Sequence, residues 1–397
     1  MRVLHITTDD LGGAGLCCLR IHKSLLDVGI ESKVVTLRNH LHVKEEYGYG
    51  FLKDKMSRLP SKLLRMMGLK LTERNEIMKL FLQNGGAYSL PKSSVNLLDF
   101  KWIEWADIIH LHWVNNYLDY PSFLSGINKP IVWTLHDENF FFGIAHYSDT
   151  LLPDHPLEQK YLRMKRDAIS HVERMAVVLL SEFLRKKFEG DELLNGRMVR
   201  VINNPIETQD FKPLDRLVAR RKLGLPEEDL LIGFTANQIF DERKGLKVLS
   251  KVVEGMEFVK GKKASILAIG GNDNKKSLSN VISIGVVKEA SVMSEVLSAC
   301  DFFAMPSTQE AFAQSPMEAM ACGLPVVAFP VSGTSELINE NNGVVCTDFK
   351  PEALCNGIKL LLSRKYDVSE IRQDMINRFS PEAIARKYVR LYEDISH

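Results

Sequence analysis

The chain has 397 residues, of which 45% are apolar and 25% are charged, and such a composition is typical of globular proteins. Because this length exceeds what a single hydrophobic core usually serves, we expect two domains. The formal net charge of +1 excludes the strongly basic balance that marks many nucleic-acid-binding proteins, so we expect no nucleic acid partner.

In the first half of the chain, short β-branched runs alternate with helical patterns. Val3–Thr7 leads through a glycine-rich turn into a helix near Gly15–Val28. Strands that alternate with helices predict a parallel sheet with helices on both faces. The further strands of this half are predicted at Ser32–Leu37, Ile108–Trp113, Ile131–Leu135 and Val177–Leu180.

Residues 48–95 interrupt this alternation. Leucine and methionine recur there at roughly helical spacing, and eight basic residues between Lys53 and Lys79 are accompanied by three acidic ones. We predict a helical insertion. Its basic face is either simply solvated or contacts anionic lipid through residues 51–80, as a peripheral membrane contact.

The second half repeats the α/β alternation. A cluster of turn residues at Asn203–Glu207 is the predicted boundary, which gives domains of residues 1–203 and 204–375. The last segment, 376–397, contains an amphipathic helix at Pro381–Ser396. The predicted elements of this half are the strands Leu230–Thr235, Ala264–Ile269, Val281–Ile284, Phe302–Met305 and Val326–Ala328, and a helix near Gly245–Met256.

The chain shows no sign of export or membrane insertion. It begins directly with a strand pattern, and it has no run of 18 apolar residues. The six cysteines form no C-x-x-C pair, which favours reduced thiols. We therefore expect a cytoplasmic protein, with peripheral contact at the inner face of the membrane as the open alternative.

The richest motif runs from Thr308 to Val327. A strand ends before it, and a helix is predicted to begin near Ser315, with Ser315 as N-cap and Glu318 completing a capping box. One interpretation is that Glu318 only caps this helix. The other is functional, because amides at a helix start bind anions and Glu310 lies at the carboxyl end of a strand. The amides concerned belong to Ala311, Phe312, Ala313, Gln314 and Ser315.

Glu310 and Glu318, followed by A-M-A-C-G-L-P-V-V, resemble the Glu-x7-Glu signature of retaining glycosyltransferases with two Rossmann domains. These enzymes of the GT-B type include bacterial exopolysaccharide and lipopolysaccharide transferases. The resemblance implies two α/β Rossmann-like domains facing across a cleft, with the C-terminal helix packing on the N-terminal domain. It also implies that Glu310 lies against the donor sugar and that Glu318 binds the ribose.

A basic pair lies one βα unit into the second half. A lysine at a loop-to-helix junction can hold a diphosphate as a point charge, and Lys244 resembles the diphosphate-binding lysine of this family. The family commonly has an arginine where this chain has Gln238, and Arg243 is a candidate substitute. The nucleotide base is expected near Gly285–Val287, with Val286 as the predicted contact.

Two groups of residues in the first half complete the predicted site. Gly12 and Gly13 lie in a strand-to-helix turn, and the resemblance implies that their backbone approaches the donor diphosphate or the acceptor. His136 directly follows a predicted strand, and the resemblance gives it a contact with the transferred sugar. His110 and His112 share one strand face. His112 is a candidate on the acceptor side, although both histidines could equally be satisfied by nearby backbone.

The sequence thus predicts a glycosyltransferase that uses Glu310, His136 and Lys244 for catalysis. The donor would be a UDP- or GDP-sugar and the acceptor a glycan or a lipid-linked sugar, with retention of configuration. We expect no cofactor and no metal ion, because no two aspartates have the D-x-D spacing. The alternatives are a sugar-nucleotide epimerase or a non-catalytic partner subunit, the latter favoured only by Gln238 and by Ala313, where many relatives have glycine.

Overall fold

A computed structural model of the chain describes residues 1–40, 49–51, 71–84, 87–256, 263–272, 276–310 and 312–397. These residues form two compact units. The first comprises residues 1–180, 185–202 and 385–397, and the second comprises 181–184 and 203–384. The return to the first unit falls after Ile384 rather than at the expected residue 376, because the helix before it buries Ile371, Met375 and Phe379 within the second unit.

The first unit is built on a seven-stranded parallel sheet in the order β3-β2-β1-β4-β5-β6-β7. Its central strands are short, mostly apolar runs that are buried along their length, as expected for a sheet covered on both faces. The strands are β1 Arg2–Asp9, β2 Glu31–Arg38, β3 Tyr49–Phe51, β4 Ile108–Leu111, β5 Ile131–Leu135, β6 Met175–Leu179 and β7 Met198–Val201.

The helices up to residue 187 connect these strands. They are α1 Gly12–Asp27, α2 Leu71–Asn84, α3 Lys101–Trp105, α4 Tyr120–Gly126, α5 Pro156–Ser170 and α6 Glu182–Lys187. The last helix, α13 Pro381–Ser396, belongs to the first unit from Ala385 onward. Within the described residues, no helix has both the length and the apolar character needed to cross a membrane.

The second unit contains a six-stranded parallel sheet in the order β10-β9-β8-β11-β12-β13. Its strands are β8 Leu230–Gln238, β9 Ala264–Gly271, β10 Val281–Gly285, β11 Phe302–Met305, β12 Val326–Ala328 and β13 Gly343–Val345. Its helices are α7 Arg216–Lys222, α8 Leu246–Gly255, α9 Ala290–Ser298, α10 Ser315–Ala321, α11 Pro351–Ser363 and α12 Val368–Phe379.

Each sheet has one point where the strand order reverses. In the first unit β1 pairs with β4, and in the second β8 pairs with β11, although each pair is separated by two strands in sequence. In open α/β sheets, ligands bind beyond the carboxyl ends of the strands at such a switch point. The loops that follow these four strands are therefore where a functional site is expected.

The predicted α/β class is confirmed, and one predicted element is wrong in part. The segment 48–95 is not wholly helical, because Tyr49–Phe51 pairs in parallel with β2 as an edge strand. Aromatic residues favour such a pleated surface. Helix α2 lies within the segment, whereas residues 52–70, on which most of the basic face was predicted, lie outside the described residues.

Candidate active site

In the second unit, the loops that follow β8 and β11 touch through their backbones. The Thr308 amide donates to the Arg243 carbonyl over 2.8 Å. Gly245 has a φ of +79°, and a Cβ added to it would lie 2.2 Å from the Pro306 carbonyl oxygen. Only glycine fits at this contact, because any other residue would meet both backbone strain and a clash.

This contact brings together two predicted site residues. Lys244 Nζ donates to Glu310 Oε1 over 2.5 Å, and the side chains retain 26% and 17% of their exposure. The sequence predicted each residue separately, and the structure joins them as an ion pair at the switch point. The pair places an ammonium group, suited to phosphate, beside a carboxylate that can accept hydrogen bonds from hydroxyls.

The Arg243 side chain already has a charged partner within the protein, Asp241. Its guanidinium donates to both oxygens of Asp241, at 3.2 and 2.7 Å. Burial alone would raise the pKa of Asp241, but the hydrogen bonds and charge of Arg243 outweigh it and lower that pKa. Gln238 ends β8, and its carbonyl accepts from the Asp241 amide, so it supports the same turn.

The N-cap of helix α10 differs from the predicted one. The helix begins at Ser315 with Gln314 as N-cap, and no side-chain hydrogen bond caps it there. The prediction of Ser315 as N-cap is wrong because Gln314 already has near-helical angles, φ −83° and ψ −34°. The spacing that would place Glu318 in a capping box therefore does not apply, and Glu318 lies partly exposed in the first turn.

The residues whose backbone amides were predicted to bind an anion differ in their surroundings. Ala311 lies outside the described residues. The Phe312 ring is buried and packs against Phe379, with ring centroids 6.3 Å apart. The Ala313 amide donates to Thr334 Oγ1 over 3.3 Å, so a phosphate oxygen would have to replace that hydroxyl.

Val286 lies at the far end of the same sheet edge. It follows Gly285, which ends the edge strand β10 with a φ of +83°, and its side chain is 66% exposed. Since β10 is two strands from β8, the two strand ends are separated by about 10 Å. An elongated ligand would be needed to reach both Lys244 and Val286.

The glycines after β1 open helix α1. Gly12 has a φ of +73°, Leu11 occupies the N-cap position without a side-chain cap bond, and a Cβ on Gly12 or Gly13 would meet nothing within 4 Å. Open space beside these two glycines leaves room for a ligand. Gly15 is a packing residue, because a Cβ added to it would lie 2.5 Å from the Asp9 carbonyl oxygen.

The histidines of the first unit form a connected group. His136 Nε2 lies 3.1 Å from His112 Nδ1, and His112 Nε2 lies 2.9 Å from His5 Nδ1. Both ring nitrogens of His112 are thus hydrogen-bonded to imidazoles, so His112 fixes the orientation of the His136 ring. His110 instead bonds Tyr392 and Thr134, at 2.7 and 2.8 Å, and anchors the last helix to the sheet.

Burial makes these histidines neutral. It lowers the pKa of His136 to about 4, although Asp137 opposes the shift. It also lowers the pKa of His5, His110 and His112 well below the usual value. A neutral imidazole has one N–H donor and one acceptor nitrogen, which suits binding of hydroxyl groups.

Asp137 is a further candidate site residue, one that was not predicted from the sequence, and it lines the same pocket as His136. Its carboxylate accepts from Trp113 Nε1 at 2.8 Å, from His146 Nδ1 at 2.6 Å and from the Asn139 amide at 2.9 Å. Burial would raise its pKa, but the charge and hydrogen bond of His146, with the other donors, lower it. The sequence feature that could have identified Asp137 is its position directly after His136, beyond the end of a predicted strand.

Two Rossmann-type units with polar side chains at their switch points form an α/β architecture that many nucleotide-binding proteins share. Residues 229–364 match the family model described as Glycosyl transferases group 1. An uncharacterised glycosyltransferase of Methanocaldococcus jannaschii is 24% identical over 307 residues, which cover 72% of this chain and 75% of that protein.

Two further comparisons agree. An N,N'-diacetylbacillosaminyl-diphospho-undecaprenol alpha-1,3-N-acetylgalactosaminyltransferase of Campylobacter jejuni is 30% identical over 143 residues, 34% of this chain and 38% of that protein. The structure of Anabaena HepE with UDP-glucose superposes with a TM-score of 0.68 at 19% identity, covering 99% of this chain and 100% of that one. The chain thus has the GT-B fold, and its sequence is similar to glycosyltransferases, with residues 229–364 matching the group 1 model.

Proposed function

We propose that this enzyme transfers a sugar from a nucleoside diphosphate sugar to a glycan or lipid-linked acceptor, with retention of configuration and without a metal ion. The observation that carries the proposal is the Lys244–Glu310 pair at the switch point of the second unit. The UDP-glucose held by the HepE structure supports the donor class. The diphospho-undecaprenol in the name of the Campylobacter relative supports a lipid-linked acceptor.

The donor lies on the second unit in this proposal. Its diphosphate replaces Glu310 as the partner of Lys244, and Glu310 then accepts hydrogen bonds from sugar hydroxyls. Glu318 binds the ribose, and the base lies beside Val286 at the other end of the sheet edge. The roughly 10 Å between the ends of β8 and β10 suits the length of a nucleoside diphosphate.

The reaction exchanges one bond at the anomeric carbon. The bond to the leaving phosphate oxygen breaks, the bond to the acceptor oxygen forms on the same face, and the leaving phosphate takes the acceptor proton. Lys244 stabilises the negative charge that develops on the diphosphate. Electrostatic groups of this kind commonly contribute a few kcal/mol to transition-state stabilisation.

We test the proposal with UDP-, GDP- and ADP-sugars against glycan and lipid diphosphate acceptors, measuring product and its anomeric configuration. Glu310→Gln keeps the shape and removes the charge, and we expect it to lower kcat/KM about 100-fold. Lys244→Met should weaken donor binding roughly 10- to 100-fold, since it removes a charged hydrogen bond.

The matched control is Glu242→Gln, because Glu242 lies two residues before Lys244 but its side chain is 84% exposed. It should transfer sugar at the wild-type rate. Wild-type transfer by Glu310→Gln would refute the role of Glu310. An epimerised sugar nucleotide formed without acceptor would instead support the epimerase alternative.

We also propose that the first unit contacts the membrane surface through α2. That helix exposes Met78, Phe81 and Leu82 at 57%, 51% and 74%, and exposed apolar groups beside basic residues favour binding to anionic lipid. The double variant Phe81→Glu and Leu82→Glu should lower co-sedimentation with phosphatidylglycerol vesicles several-fold. Leu217→Glu, at an apolar position of the second unit that is 42% exposed, is the control; an equal loss in both variants would contradict the proposal.

A further inference from the structure

Three imidazoles form a row across three adjacent strands of the first sheet. His5 lies on β1, His112 follows β4 and His136 follows β5, and these strands are neighbours in the sheet. The row is joined by the contacts His5 Nδ1 to His112 Nε2, at 2.9 Å, and His112 Nδ1 to His136 Nε2, at 3.1 Å. His5 and His112 are almost completely buried, whereas His136 is partly exposed.

Only two proton arrangements satisfy both hydrogen bonds. Burial keeps the three rings neutral, so each has one ring proton. If His112 has its proton on Nδ1, then His136 and His5 must also have theirs on Nδ1. If His112 has its proton on Nε2, all three protons lie on Nε2. The tautomer of His136 is therefore coupled to that of His5.

His5, at the buried end of the row, favours one of the two arrangements. His5 Nε2 is buried and has no hydrogen-bond partner among the residues that the structure describes. In the first arrangement this nitrogen has a lone pair, and in the second it has an unpaired N–H. Orphaned buried N–H groups are rarer in proteins than under-satisfied acceptors, which favours the first arrangement.

We propose that His5 and His112 are positioning residues that hold the proton of His136 on Nδ1, so that this nitrogen donates a hydrogen bond to a sugar oxygen. The inference rests on the proposed function, in which His136 contacts the transferred sugar. His112 occupies Nε2 of His136, and Nδ1 is the nitrogen left for a ligand. His136 lines a small pocket together with Trp113, Asn115 and Phe140, where a sugar hydroxyl would accept this hydrogen bond.

A metal ion is a weaker explanation of the buried histidines, and it would involve His110 in place of His136. His5, His110 and His112 offer ring nitrogens within 4.8 Å of one another. However, both nitrogens of His110 already bond the hydroxyl groups of Tyr392 and Thr134. Metal binding would break several hydrogen bonds in a buried place, whereas the tautomer row satisfies all but one of the ring nitrogens of His5 and His112.

The test is ¹⁵N NMR of the histidine-labelled full-length protein, because protonated and unprotonated ring nitrogens resonate in separate ranges. We expect protonated Nδ1 and unprotonated Nε2 for both His5 and His136. Resonances are assigned with single histidine variants. A proton on Nε2 of His136 in the wild-type protein would overturn the proposal without any activity measurement.

Two variants test the function of the row. His112→Phe removes the donor to His136, so the proton should move to Nε2 and kcat/KM should fall about tenfold, the effect of one neutral hydrogen bond. His112→Asn retains an amide N–H close to the Nδ1 position and should restore both readouts. His171→Asn, at an exposed position, should change neither.

The outcomes separate this inference from the proposed function. If the wild-type enzyme transferred no sugar from any donor, the proposed function would fail, and the nitrogen spectra would still decide the tautomer. If the proton moved in His112→Phe while kcat/KM stayed at the wild-type value, the contact with sugar would be refuted.

Discussion

His5, His110, His112 and His136 remain neutral in the folded first unit because burial lowers the pKa of each, for His136 to about 4. In the unfolded chain these groups return to a pKa of about 6.5. Below pH 6.5 the unfolded state thus binds more protons than the folded state. The free energy of unfolding therefore decreases as the pH falls from about 6.5 towards 4.

We predict that the first unit loses about 5 kcal/mol of stability between pH 7 and pH 5.5, since each of the four histidines contributes just over 1 kcal/mol in that interval. Urea unfolding at both pH values measures the change. His110→Gln should reduce the pH dependence by roughly a quarter, whereas His171→Asn, at an exposed position, should leave it as it is. A first unit with equal stability at both pH values would show that these histidines are not held neutral.

At the scale of elements, the inner strands of both sheets were predicted, whereas three of the four edge strands, all except Val281–Gly285, were not. Ile131–Leu135 and Phe302–Met305 were predicted to the residue, because continuous apolar runs between turn residues mark strands buried on both faces. The edge strands Tyr49–Phe51 and Gly343–Val345 are three residues long. Such short runs show neither alternation nor a sustained apolar pattern.

Local sequence predicts that Lys244, Glu310 and His136 each lie after a strand, but it does not predict the contacts that these residues make. The Lys244–Glu310 pair and the row through His5 depend on which strands are neighbours and in what register. Neither is encoded in the local spacing of one sequence.

The contact between the loops after β8 and β11 gives an element-scale prediction. Gly245→Ala places a Cβ 2.2 Å from the Pro306 carbonyl oxygen at a φ of +79°, and left-handed backbone alone costs an alanine about 1–2 kcal/mol. The loops should separate, so that both the melting temperature of the second unit and its affinity for a nucleoside diphosphate decrease. Calorimetry with UDP and with GDP measures both quantities.

Gly255→Ala is the matched control for that experiment. Gly255 ends the next helix, and an added Cβ would meet nothing within 4 Å. Because alanine favours a helix by up to about 1 kcal/mol over glycine, this variant should be as stable as the wild type or slightly more stable. Unchanged affinity in Gly245→Ala would mean that the loop contact does not position Lys244.

At the scale of the whole molecule, the two units have different tasks in the proposed reaction. Lys244, Glu310, Glu318 and Val286, the residues proposed to bind the nucleoside diphosphate sugar, all lie in the second unit. Ligand binding stabilises the part of a protein that makes the contacts, since the bound state must release the ligand before those contacts open. Stabilisation by UDP or GDP alone should therefore be confined to the second unit.

Hydrogen–deuterium exchange resolves this prediction by segment. The preferred nucleotide is added at about 100 times its Kd. Where a segment must release the nucleotide before its amides can exchange, exchange should slow about 100-fold, and we expect this in the loops of residues 239–245 and 306–315. Segments 108–113 and 131–136 of the first unit should be unaffected. Because Lys244 and backbone amides are proposed to meet the diphosphate charge, the protection should persist in EDTA. Loss of protection in EDTA, with recovery on adding Mg²⁺ or Mn²⁺, would show instead that a divalent cation holds the diphosphate.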